Sequence, residues 1–200
     1  MSKTLSKGSI TLITIGIVIL ILIGGTLTTY NGLVSKDEAA STAWSNLQAQ
    51  YQRRADLVPN LVNTVKGYAK HESETFENVV AARAKATQLS VDADNLTPER
   101  ARQILQAQGD LSTALGKLMA ISESYPELKA SENFSELQAQ LEGTENRIAE
   151  SRRLYNESVQ TFNTAVRRFP ANIVAGIFGF EKKSKFKAQE ISANAPQVEF

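Results

Sequence analysis

Apolar positions along this chain follow two regimes. From Ile10 to Leu27 the sequence reads ITLITIGIVILILIGGTL, with no face set aside for water, and no charge occurs between Lys7 and Lys36. At about 1.5 Å per residue the run is roughly 27 Å long, close to the thickness of a bilayer's hydrocarbon core. From Leu33 the apolar residues recur in alternating steps of four and three. The positions are Leu33, Asp37, Ala40, Trp44, Leu47, Tyr51, Arg54, Val58, Leu61, Val65 and Tyr68, nine of the eleven apolar. That spacing predicts a helix with a seam buried against other helices, not a strand. The seam continues less cleanly through Phe76, Val79, Val80 and Ala84, so one long helix is expected over about residues 34–88. Pro59 lies inside it and should kink or break it. Val58, Leu61 and Val65 keep one register across Pro59, which favours a kink. A reversal there is the alternative; it gives four main helices and returns the C-terminal region to the membrane.

Residues 89–96 (LSVDADNL) read as a connection. Thr97-Pro98 is a helix start, a hydroxyl cap followed by a proline in the first turn. The second helix carries Ile104, Leu105, Leu111, Leu115, Leu118 and Met119 and stops before Tyr125-Pro126. Ser131 is the candidate cap of a third helix. Its seam is Phe134, Leu137, Leu141, Thr144, Ile148, Ser151, Tyr155, Ser158, Phe162, Ala165 and Phe169, unbroken until Pro170. No stretch alternates with period two over a useful length. The expected fold is all-α: an N-terminal transmembrane helix, then an elongated antiparallel up-down bundle of three long helices, and a short C-terminal helix from ANIVAGIFGF. The divisions are residues 1–29 for the leading segment and span, 30–180 for the bundle, and 181–200 for a basic segment (EKKSKFK) with a disordered tail.

The span has Ile10, Ile15, Leu20 and Leu27 as its membrane anchor and Tyr30 at the interface. It exceeds a usual signal-peptide core, and no A-x-A site follows, so an uncleaved anchor is expected. Lys3 and Lys7 precede it and Lys36 follows, which orients the N-terminus inside and the bundle outside the cytoplasm.

Composition narrows the chemistry. The 200 residues contain no Cys and one His, and the formal net charge is +1. Disulfides, thiolate metal sites and cysteine nucleophiles are excluded, and one imidazole does not make a typical zinc site. Near-neutral charge argues against a nucleic-acid binder. His71 lacks both a second His for H-E-x-x-H and a G-x-S-x-G nucleophile elbow, and no phosphate-binding glycine motif occurs. No catalytic, cofactor or metal site is expected.

Three arginine pairs stand out: Arg53-Arg54, Arg152-Arg153 and Arg167-Arg168. Arg54 falls on the seam and must be paired there, with Glu145 or Glu150 as candidate partners. Arg53, Arg54, Asp56, His71, Glu72, Glu145, Arg152 and Arg153 form the candidate structural or partner network. Asn156 and Asn163, seven apart beside the third seam, are either register-setting amides or ordinary surface ones. The candidate docking segment carries Phe169, Phe178 and Phe180 with Lys182, Lys183 and Lys185. It closes the bundle, docks a partner or a second copy, or, together with Phe186 and Lys187, sits on an anionic membrane.

Several of these runs resemble the LemA family. They are Tyr30-Asn31-Gly32-Leu33-Val34, Ala43-Trp44, Arg53-Arg54-Ala55-Asp56-Leu57-Val58-Pro59-Asn60-Leu61-Val62, Val65-Lys66-Gly67-Tyr68 with His71-Glu72, and Tyr125-Pro126-Glu127-Leu128-Lys129-Ala130. Glu132-Asn133-Phe134, Thr144-Glu145-Asn146-Arg147-Ile148, Arg152-Arg153 with Tyr155-Asn156, and Phe169-Pro170-Ala171-Asn172 complete the likeness, over about residues 30–180. The resemblance implies a bacterial protein of the cytoplasmic membrane with one N-terminal span, a helical bundle and no catalytic activity. It also implies envelope partners, such as a TPM-domain protein or a membrane zinc protease. The family's magnetosome-associated members suggest the organising of membranes or membrane complexes. The expected function is a single-pass, non-catalytic scaffold of the cell envelope that binds other proteins or itself. The alternative is a membrane-shaping or lipid-contacting protein acting through the C-terminal Phe/Lys segment.

Overall fold

A computed structural model describes residues 7–89 and 91–186. Among these there is no strand. Helix α1 runs without interruption from Lys7 to Tyr68, 62 residues, about 93 Å at the α-helical rise. It is followed by α2 (Ser73–Gln88), α3 (Pro98–Ile121), the single turn α4 (Pro126–Lys129), α5 (Glu132–Arg167) and α6 (Ala171–Phe178). Short 3-10 turns lie at Ala93–Asn95 and Ser122–Ser124.

The long apolar run forms the first part of α1, and residues 11–25 are exposed all round, Ile15 and Leu20 included. A helix apolar on every face and uncovered by its own protein has the surface a bilayer accepts. Its hydroxyls return to their own backbone: Thr26, Thr28 and Thr29 donate to the carbonyls of Leu22, Gly24 and Gly25 at 2.8–2.9 Å. Ile10 lies in the helix with its side chain outside the described residues. Lys3, Lys187 and the tail 188–200 lie outside them altogether.

Pro59 neither ends nor reverses the helix; α1 passes through it. A proline leaves the carbonyl four residues back without its helical donor. That carbonyl belongs to Ala55, and Arg83 from α2 donates its Nε–H to it at 2.7 Å. The long helix expected to reach residue 88 instead ends at Tyr68. The chain reverses at residues 69–72, so the bundle has four main helices, with α1 and α3 leading away from the span and α2 and α5 returning. The second helix, α3, stops at Ile121, before Tyr125-Pro126 as expected, and the single turn α4 then opens at Pro126. Thr97 caps α3 as expected, its hydroxyl accepting from the Arg100 amide at 3.2 Å. Ser131 sits at the cap position of α5 without a side-chain cap bond.

The two strongest seams pack against each other. Arg54 faces Glu145 and Trp44 faces Tyr155, ten residues up one helix and ten down the other. The antiparallel register of α1 and α5 therefore holds along the bundle. The distal core gathers Val58, Leu61, Val65, Phe76, Leu111, Leu118 and Phe134. The core nearer the span gathers Trp44, Leu47, Ile104, Tyr155 and Phe186. Trp44 Nε1–H and Gln48 Nε2–H both donate to the Val91 carbonyl, at 2.7 and 2.8 Å, and hold the α2–α3 connection.

Candidate functional site

In the bundle α3 packs on α2 and α5 packs on α1. Between α3 and α5 runs an open groove of about 720 Å³ whose floor is α1. Leu105, Gln108, Ser112 and Thr113 form one wall; Glu145, Ile148, Ala149, Arg152 and Asn156 form the other.

Arg54 is the hub beneath it, with a side chain 2% exposed. Its Nη1 donates to Glu145 Oε1 at 2.6 Å and to Ser112 Oγ at 2.7 Å. Its Nη2 donates to the Gln108 carbonyl at 3.2 Å and to Gln108 Oε1. One buried guanidinium thus ties α1, α3 and α5 together, and its charge is matched by a carboxylate, as burial requires. Of the two partners the sequence offers, Glu145 is the one used. Glu150 instead pairs with Arg153 at the surface, where Arg153 also binds Glu157. The hydrogen bond from Arg153 lowers the Glu150 pKa.

The floor also holds two buried polar atoms without partners, Arg54 Nε and Tyr51 Oη. Burial pushes the Tyr51 phenol upward, against the pull of Arg152 and Arg54. Arg152, half-buried in the wall, has no ion-pair partner among the described residues.

The rest of the candidate network is dispersed. Arg53 is exposed on the outer side of α1, and Asp56, also exposed, accepts from Gln52 at 2.7 Å. His71 is exposed in the turn at the far end, where Glu72 accepts from the Tyr125 hydroxyl at 3.4 Å. No group of acidic, His or Cys side chains among the described residues is arranged to hold a metal ion.

The basic C-terminal segment is tied into the bundle. Residues 180–186 run extended along α5, back toward the groove. Asn163 exchanges two bonds with the backbone of Lys183, each at 2.9 Å. Asn156 does the same with Phe186, at 3.0 and 2.9 Å. Seven helical residues rise about 10.5 Å, and three extended residues about 10 Å, so amides seven apart read an extended chain at every third residue. Tyr155 also donates to the Ser184 carbonyl at 2.9 Å, and burial pushes its pKa up to about 12.

This strap ties part of the candidate docking segment into the bundle. The Lys183 side chain, 9% exposed, sits between Asp37 at 2.9 Å and Asp94 at 2.7 Å. Burial pulls its ammonium downward, but the bonds to Asp94 and Asp37 prevail and raise the pKa. Lys185 donates to Gln160 at 3.1 Å. Phe186 stacks on Trp44, with centroids 5.7 Å apart, and Phe180 packs on Phe162 and Tyr30. Lys182, Phe169 and Phe178 remain exposed. Asp37, an acid on an apolar seam, was a sequence signal for Lys183. Arg83, Gln108 and Ser112 carried none.

An apolar helix left uncovered by the rest of the molecule, continuous with an open antiparallel bundle, is the build of a membrane-associated helical protein. The chain belongs to the LemA family, whose family model matches residues 43–200. It is 28% identical to magnetosome protein MamQ of Magnetospirillum gryphiswaldense, over 78% of this chain and 64% of MamQ. It is 27% identical to magnetosome protein MamQ 2 of Paramagnetospirillum magneticum, over 79% of this chain and 64% of that protein. Protein LemA of Metamycoplasma hominis is 26% identical, over 90% of this chain and 77% of the relative. The chain therefore spans just under two thirds of the length of the magnetosome proteins it matches.

Proposed function

We propose that this chain is a non-catalytic, single-span scaffold of the bacterial cytoplasmic membrane that presents its bundle to other envelope proteins. The observation that carries this reading is the continuity of α1. One helix is both membrane span and bundle wall, so the groove is held at a set height above the lipid. About 24 residues separate Leu27 from the middle of the groove floor, near Tyr51, which places that floor roughly 36 Å beyond the apolar run. The groove offers hydrogen-bond donors and acceptors, an arginine without an ion-pair partner and apolar patches at Leu105, Ile148 and Phe186, which suits an amphipathic polypeptide segment with acidic side chains.

The test is photo-crosslinking in intact bacteria, with a benzophenone amino acid replacing Thr113 or Ala149 in the groove, or Glu77 on the outer side of α2. The scaffold reading expects defined protein adducts from the groove positions and none from position 77. Adducts that do not distinguish the positions would sink it. Lys3 and Lys7 against Lys36 support an extracytoplasmic bundle. In this Cys-free chain, Asn95→Cys is expected to react with an impermeant maleimide on intact cells; labelling only after lysis reverses the orientation.

A further inference from the structure

We infer that α6, with Phe169 before it, is an interfacial helix that inserts its outer face into the same membrane leaflet that α1 leaves. The inference rests on α1 being a membrane span. Three observations support it.

The first is position. Val174 and Ala175 bury against Leu33, and the Phe178 ring lies 4.8 Å from Tyr30. Tyr30 stands three residues beyond Leu27, about 4.5 Å along the helix axis. The headgroup layer on each side of a bilayer is only about 5–8 Å deep. The fold therefore sets α6 at that depth.

The second is the face α6 leaves uncovered. Phe169, in the turn before the helix, precedes Ile173 and Ile177, which are four apart and share the face of α6 turned away from Ala175. They are 77%, 53% and 71% exposed, and Phe178 beside them is 52% exposed. Elsewhere in the bundle the exposed large apolar side chains, Val80 and Leu154 among them, stand singly, as on ordinary soluble surfaces. Among the described residues of the bundle, such a cluster occurs only here, at the end that adjoins the apolar run of α1.

The third is charge. Arg167 and Arg168 are exposed immediately before Phe169 and make no ion pair among the described residues. Cationic side chains flanking an aromatic and aliphatic stripe are the composition of a helix lying in an anionic interface. Glu181 is the nearby exposed acid.

The consequence is a bundle fastened to the bilayer at two points: through α1, and beside it through α6. The experiment uses the full-length chain in nanodiscs of phosphatidylcholine and phosphatidylglycerol, spin-labelled at single cysteines in the Cys-free background. The sites are Phe169→Cys, Ile173→Cys and Ile177→Cys, with Ile19→Cys inside the span and Glu127→Cys at the far end as references. Trp44 fluorescence confirms that each variant is folded. The expected result is that sites 169, 173 and 177 resemble site 19. Each should show an oxygen-to-nickel-chelate collision ratio several-fold above that of site 127. A span-like ratio at site 19 with water-like ratios at the three α6 sites overturns the inference and leaves the anchor standing. Exclusion of both reagents at those sites overturns it too, because protein then covers the stripe. A water-like ratio at site 19 overturns the anchor and the inference together.

Discussion

The unequal exposure of the Arg54–Glu145 pair makes removal of its two partners unequal in cost. The Arg54 side chain is 2% exposed, whereas Glu145 is 39% exposed on the groove wall. Glu145→Ala leaves a buried guanidinium with only neutral acceptors, Ser112 and Gln108. Uncompensated buried charges cost about 3–5 kcal/mol, and partial access of water from the groove puts the expected loss near 3 kcal/mol. Arg54→Met leaves an unbranched apolar chain along the same path. Its former acceptors all line the groove and can turn to water, so the expected loss is about 1 kcal/mol. In the double variant no buried cation needs a counter-charge. It should be about as stable as Arg54→Met alone, and about 2 kcal/mol more stable than Glu145→Ala. The assay is urea unfolding of the full-length protein in detergent micelles, read through Trp44, the single tryptophan, and extrapolated linearly to water. Additive single losses, or Arg54→Met proving the costlier change, would refute the reasoning, because either means the buried charge is not what Glu145 answers.

Three further outcomes are expected. Arg83→Met should cost about 1 kcal/mol in the native sequence but almost nothing with Pro59→Ala, since residue 59 then offers its own N–H to the Ala55 carbonyl; equal costs in both backgrounds would dismiss the link. Asn163→Ala removes two bonds to the strap. It should speed amide exchange at Lys183 about tenfold or more while leaving exchange at Leu111 in the distal core unchanged. Finally, Tyr51, Tyr155 and Lys183 all have folded pKa values above their ordinary ones, so the folded protein holds more protons than the unfolded chain at alkaline pH. Their contribution is fully present below pH ~10 and is lost as pH rises toward ~12. A urea midpoint that holds steady across that window would contradict it.

Much of the fold was legible because the seams are long. Two stripes with 3.5-residue spacing specify two helices that must cover each other, and α1 and α5 do. The reversal at residues 69–72 was not legible, for a specific reason. The turn takes up four residues, and Val65 before it and Phe76, Val79 and Ala86 after it still lie on one alternation of four and three. Periodicity in a sequence carries no record of a change in direction when the turn preserves the count. Tyr68-Ala69-Lys70-His71-Glu72 also offers no proline or glycine to mark it. Arg54 was legible as a residue in need of a partner, since charge on a seam demands one. The groove above it was not, because it is a space between helices and depends on how far α3 stands from α5. The Asn156/Asn163 pair was visible as spacing, but its meaning required the extended strap whose rise it matches.

The unbroken α1 also converts angle into distance. Residues 30–68 carry α1 about 57 Å beyond its apolar run, with no loop at the base. Transmembrane helices commonly lean by about 20° from the bilayer normal, and over that length such a lean carries the His71 end sideways by roughly 20 Å. Anything that changes the inclination of the span, a thicker bilayer or a neighbouring helix, therefore moves the far tip by most of a small protein's diameter. The groove, nearer the pivot, sweeps a smaller arc.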